Sequence, residues 1–152
     1  MGIETLAKAL EREHQEIDAG IEAGDERSLP GAIQALRRHI YLEEEFLFPL
    51  LREAVPALSA PVLVMLREHG QLWQLLDSLE QEPGADGSSG TGLILSRQLT
   101  ILLLHHNLKE EKILYPRADL LLTEPATARS GSSSPQDSCR KAGLAQGPRL
   151  PR

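Results

Sequence analysis

The chain has 152 residues, enough for one domain with a real core, and its 41% hydrophobic content includes only 3% aromatics. Leucine, isoleucine, valine and alanine must therefore build that core, a palette that favours helices over strands. A net charge of -6 with scattered Lys and Arg argues against nucleic acid or an anionic membrane as partner. One cysteine, Cys139, excludes an internal disulfide, and no apolar run nears the ~18 residues a bilayer span needs, so a cytoplasmic protein is expected.

In chain order, Leu6, Leu10, Ile17 and Ile21 recur at helical spacing over residues 3–24, with His14 on the same face and Gly24-Asp25 as the stop. Ser28-Leu29-Pro30 opens a second helix, in which Ile33, Leu36, Ile40, Leu47 and Leu50 continue to about Ala54. Pro49 should bend or loosen its last turn. After Pro56, Ser59 and Pro61, the residues Val62, Met65, Leu66, Leu72, Leu76 and Leu79 mark a third helix ending near Gln81. PGADGSSGTG, residues 83–92, reads as a flexible connector, and a fourth helix follows from about Gly92 to Leu121. Four amphipathic helices with short links predict an all-α, up-down-up-down four-helix bundle over residues 1–122. From Thr123 the Ser-, Pro-, Gly- and Arg-rich sequence has no apolar period, and residues 123–152 are expected to be a disordered tail. Cys139 is incidental within it.

The chain repeats itself. HIYLEEEFLFP, residues 39–49, lies over HNLKEEKILYP, residues 106–116, without a gap at an offset of 67. ALEREHQEI carries His14 where VMLREHGQL carries His69, at an offset of 55. Each half thus offers one lone His and one H-x-x-x-E. Residues i and i+4 share a helix face, so His39 can join Glu43 in one site and His106 can join Glu110. Leu36, Phe46 and Leu50 flank the first pair, and Leu99, Leu102, Leu103 and Ile113 the second. A solitary H-x-x-x-E is often only a surface pair; the repetition on apolar faces is what points to metal. Buried imidazoles and carboxylates cost several kcal/mol each unless paired or bound to a cation, and this donor mix suits iron, manganese or zinc. Glu44, Glu45 and Glu111 read as solvated or as outer partners of the ligands, and Phe48 and Tyr115 as packing at the bundle end. The Tyr115 hydroxyl is within conceivable reach of a ligand.

These residues resemble the hemerythrin-like, or HHE cation-binding, family over roughly residues 4–121: a lone His, then H-x-x-x-E-E closing on aromatic-Pro, then both again. The resemblance implies a four-helix bundle around a non-haem di-iron centre, with an oxo or hydroxo bridge between the two irons. His14, His39, His69 and His106 would be terminal ligands, and Glu43 and Glu110 would bridge. Glu-x-x-His, the ferritin-like order, occurs once, at Glu11 and His14, and is not repeated at His69 because position 66 is leucine. Two departures from the oxygen-carrying members stand out. Trp73 occupies the position of a further histidine one turn after His69, and the carrier's spacing of its last His and carboxylate would select His105 rather than His106. Asp18, one turn after His14, is a candidate extra ligand or an acceptor orienting an imidazole. The implied partner is a small ligand, dioxygen, nitric oxide or peroxide, that is bound or sensed. An oxidoreductase consuming peroxide or nitric oxide is the alternative, with Trp73 and Tyr115 as redox-active neighbours. Iron handling without gas chemistry, a metal-free interaction module and a bis-histidine haem bundle are further readings, the last leaving Glu43 and Glu110 without purpose.

Overall fold

The computed structural model describes residues 2–82 and 90–123, and among these there is no strand. The tail beyond Thr123 and most of the connector, residues 83–89, lie outside the described residues.

Helix α1 spans Leu6–Ala23. The Thr5 hydroxyl accepts the Lys8 N–H at its start, and Gly24, at φ +63°, ends it in the left-handed conformation that glycine adopts without a Cβ clash. The second arm comprises α2, Ser28–Leu42, a five-residue π-helical turn, Glu43–Leu47, and α3, Phe48–Ala54. Asp25 caps α2 by accepting the Arg27 and Ser28 N–H groups at 2.9 and 2.6 Å. A short 3-10 turn, Pro56–Leu58, leads into α4, Ser59–Gln81. The fourth arm is α5, Gly90–Lys109, a second π turn, Glu110–Leu114, and α6, Tyr115–Thr123. Helix α5 thus begins at Gly90, slightly before the expected Gly92.

The π turns share one cause. Each precedes an aromatic-Pro pair, and the Phe48 and Tyr115 N–H groups donate five residues back, to the Glu43 and Glu110 carbonyls. Pro49 and Pro116 have no N–H to give, and in a regular helix their rings press on the carbonyl four residues earlier; widening the turn relieves both problems. The disturbance expected at Pro49 therefore falls one turn upstream of it.

The extra residue shifts the inward face by one position. Phe46, Leu50 and Ile113, expected to flank the His-Glu pairs, are 65%, 37% and 43% exposed, while Leu47 is buried as expected and Phe48, Leu51, Leu114, Tyr115 and Ala118 are buried with it. A 3.6-residue period carried straight through the turn puts the wrong side chains inside.

Two apolar layers result. One contains Ile17, Ile33, Leu36, Ile40, Leu72, Leu76, Leu99 and Leu103. The other contains Ala7, Leu47, Phe48, Leu51, Val62, Met65, Leu114 and Tyr115. Along α1 and α4 the chain passes from the second layer to the first, and along the other two arms from the first to the second. That order is the up-down-up-down bundle. On every arm a histidine lies between the layers, so a polar slab divides the core. Gly20 lets α1 and α2 approach closely enough to align their histidines: a Cβ there would sit 2.7 Å from that of Ala32.

Candidate metal centre

The six residues singled out by the repeat meet in this slab, each no more than 3% exposed. Two clusters form, His14, His39, Glu43 and Glu110, and Glu43, His69, His106 and Glu110, so both carboxylates belong to both. The ligand atoms of each cluster lie within 4.8 Å of one another, close to the span across an ion with bonds of about 2.1 Å. His106 is buried and His105 exposed, so the helix turns the former inward. Asp18 lies on an exposed part of α1 and joins neither cluster; partial burial raises its carboxyl pKa, with the nearby Glu111 and Glu22 adding to the rise against His14. Trp73 packs against the first apolar layer with the Arg37 guanidinium 4.4 Å over its ring.

Whether a metal fits is decided by the buried donor atoms that crowd together in each cluster. The Nε2 atoms of His14 and His39 face each other at 3.0 Å, and those of His69 and His106 at 3.1 Å. Each ring's other nitrogen is aimed at a carboxylate. His14 Nδ1 lies 2.9 Å from Glu111, His69 Nδ1 3.1 Å from Glu44, and His106 Nδ1 2.8 Å from Glu68. His39 Nδ1 is 3.6 Å from Glu13, within ion-pair range but too long for a hydrogen bond. Protons placed on Nδ1 leave Nε2 lone pairs pointing at each other, an arrangement that is repulsive unless a cation lies between them. Glu43 Oε2 and Glu110 Oε1 are buried without a hydrogen-bond partner. Imidazole nitrogens and carboxylate oxygens converging in this way fit a transition-metal ion in each cluster.

Protons compete with any cation for these donors. Burial disfavours the charged imidazoles, yet Glu43 and Glu13 raise His39 to about 10, and Glu110, Glu43 and Glu44 raise His69 to about 11. Burial likewise pushes against ionising Glu110, but His106, His14 and His69 hold its carboxyl well below the ordinary range.

The outer carboxylates include Glu44 and Glu111, expected as solvated or as outer partners of the ligands, and add Glu13 and Glu68. Every site histidine on α1 and α4 is preceded by Glu, and each shared carboxylate is followed by Glu. Glu13 and Glu68 serve the histidine of the neighbouring arm, as do Glu44 and Glu111. Lys109 in turn pairs with Glu68. The doubled E-H was visible in the repeat, but an acidic residue beside an inward histidine reads as solvated until the neighbouring helix is placed.

Tyr115 is the main revision. Rather than only packing the bundle end, its hydroxyl sits in the first cluster, 2.5 Å from Glu43, 2.9 Å from Glu110, 2.9 Å from His14 Nε2 and 3.2 Å from His39 Nε2. Burial and the two carboxylates hold the phenol pKa far above its usual value. Phe48, its counterpart in the repeat, stacks on His69 at 5.3 Å and 18°.

The chain matches the model of the hemerythrin HHE cation binding domain over residues 5–118 and belongs to that family. It is also similar to curated relatives named iron-sulfur cluster repair protein YtfE, from Yersinia pestis (strain Pestoides F) and Yersinia pseudotuberculosis serotype O:1b (strain IP 31758). In both cases identity is 30% over 122 residues, covering 74% of this chain and 54% of the relative. The chain therefore spans about half the length of those relatives. No solved structure matches it. No described helix is long and apolar enough to cross a membrane.

Proposed function

We propose that the chain is a non-haem di-iron protein, its irons joined by an oxo or hydroxo bridge, that reversibly binds or senses dioxygen, nitric oxide or peroxide. One observation carries the reading: two buried imidazole pairs with facing Nε2 atoms share the same two carboxylates. His14 and His39 would hold one ion, His69 and His106 the other, and Glu43 and Glu110 would bridge. Family membership favours iron among the metals that such donors accept.

When bound, an iron pair supplies a redox-active Lewis acid that can take a small ligand. The protein's own residues prepare that chemistry. Glu13, Glu44, Glu68 and Glu111 fix the imidazole rings and keep Nε2 free to bind metal. The two apolar layers exclude bulk water from the slab, which strengthens every charge interaction in it. We extend to this chain, on the same footing, the setting that the name of the Yersinia relatives states, iron-sulfur cluster repair.

A second reading, an oxidoreductase consuming peroxide or nitric oxide, is favoured by Tyr115, an oxidisable phenol touching the cluster. Aerobic purification followed by metal counting and near-ultraviolet spectroscopy tests the di-iron assignment. Two irons per chain with oxo-bridge absorption are expected, whereas zinc or no metal in a folded protein contradicts it. Saturable, reversible uptake of nitric oxide or dioxygen by the reduced protein identifies a binder, and sustained consumption of nitric oxide or peroxide with an added reductant identifies the enzyme.

A further inference from the structure

The two candidate metal positions are built from a repeat, and among the aromatic residues lying against them one equivalent pair differs by a hydroxyl. Positions 48 and 115 are separated by the same offset of 67 as the two H-x-x-x-E motifs, and each follows its shared glutamate by five residues. The π turn brings both inward. Each ring then lies against the lone histidine of its own side: Phe48 and His69 have centroids 5.3 Å apart, and Tyr115 and His14 have centroids 5.4 Å apart. The aromatic plane is thus a common feature, and the hydroxyl is the difference.

That hydroxyl is surrounded by more polar atoms than it can serve. One proton and two lone pairs face four polar groups, Glu43, Glu110, His14 and His39, at 2.5 to 3.2 Å. A phenol oxygen placed among donors that all converge on one point is itself placed as a donor. Phe48 brings no such atom to His69 and His106.

We infer that Tyr115 is the fifth protein ligand of the His14–His39 position, and that the His69–His106 position, with four protein donors beneath the Phe48 ring, is where the small ligand binds. The reading rests on the di-iron assignment and goes beyond it by making the two ions unequal. Tyr115 would coordinate through its oxygen, its phenol proton being released to bulk solvent on metal loading. With a bridging group, the first ion is then close to the about six donors that such ions accept, and the second keeps an open place. Phe48, stacked on His69, brings no oxygen to fill that place.

The test uses the whole chain, loaded with ferric iron, and azide as the probe. Wild type should show a visible phenolate-to-iron absorption with tyrosinate vibrations in resonance Raman. Only Tyr41 and Tyr115 are present, and Tyr41 is 57% exposed, so the signal has one source. Tyr115→Phe should lose the signal while keeping both irons and binding azide at both positions. Phe48→Tyr should gain a second phenolate contribution and lose azide binding. An iron pair without a tyrosinate signal in wild type, a signal surviving in Tyr115→Phe, or unchanged azide binding in Phe48→Tyr each overturns the inference while leaving the di-iron reading intact. A wild-type protein that takes up no iron pair removes that reading and the inference with it.

Discussion

The His14–His39 and His69–His106 halves of the slab are near-copies in sequence and geometry, down to Nε2 separations of 3.0 and 3.1 Å, yet one holds Tyr115 and the other Phe48. Duplication gives two clusters the same kinds of donor, and the Tyr115 hydroxyl, which has no counterpart at Phe48, is what would set the proposed two ions apart.

The largest effect should come from what the halves share. Glu43→Ala and Glu110→Ala should each abolish metal loading at both positions, because either change removes a donor from each cluster. His39→Ala and His106→Ala, counted by the same metal analysis, should each weaken one position more than the other. Equal loss at both positions in all four variants would show that the halves load only as a unit.

Next come the outer carboxylates. Glu111→Ala and Glu68→Ala, which release His14 and His106, should each lower metal affinity by roughly 10- to 100-fold in a chelator competition. Glu13→Ala should cost less, since its contact to His39 is 3.6 Å. A reversed order would mean that these residues act through packing rather than by orienting the rings.

The π turns make a stability comparison possible within one arm. Leu51→Ala, at a fully buried position, should cost about 2–5 kcal/mol in urea denaturation, and Phe46→Ala, 65% exposed, within about 0.5 kcal/mol of nothing. A regular helix through Glu43–Leu47 would hold Phe46 and Leu51 at similar angles from the inward axis, so similar costs for the two would contradict the π turn.

A pH series probes both halves together. His39 and His69 are raised to about 10 and 11 by their carboxylate partners despite burial, so metal must displace protons at neutral pH. Apparent affinity should therefore rise as pH increases from acid toward alkaline, measured against a chelator corrected for its own titration. The smallest effect belongs to His105→Ala, which should leave metal content unchanged because the residue faces outward.

Much of this was legible in the sequence because a duplicated motif carries its own alignment. The match of HIYLEEEFLFP to HNLKEEKILYP selected His106 over His105, and the structure turns His106 inward. The four arms and the order of the bundle followed from apolar periodicity and from Gly24, Pro30 and Ser59. The π turns were not legible, since a 3.6-residue period has no place for an inserted residue, and that one omission displaced Phe46, Leu50 and Ile113 inward and left Tyr115 read as packing at the bundle end. The recurrence of an aromatic-Pro pair five residues after each shared glutamate was the available signal. Glu13 and Glu68 were missed for a different reason: their partners lie on another arm, at sequence distances that no local period reports.

Mössbauer spectroscopy of the iron-loaded protein tests the central claim most directly. The account predicts a spin-coupled ferric pair that appears as two distinct iron signals in equal amounts, one for each half of the slab. A single uncoupled iron, or a folded protein that takes up none, would contradict it.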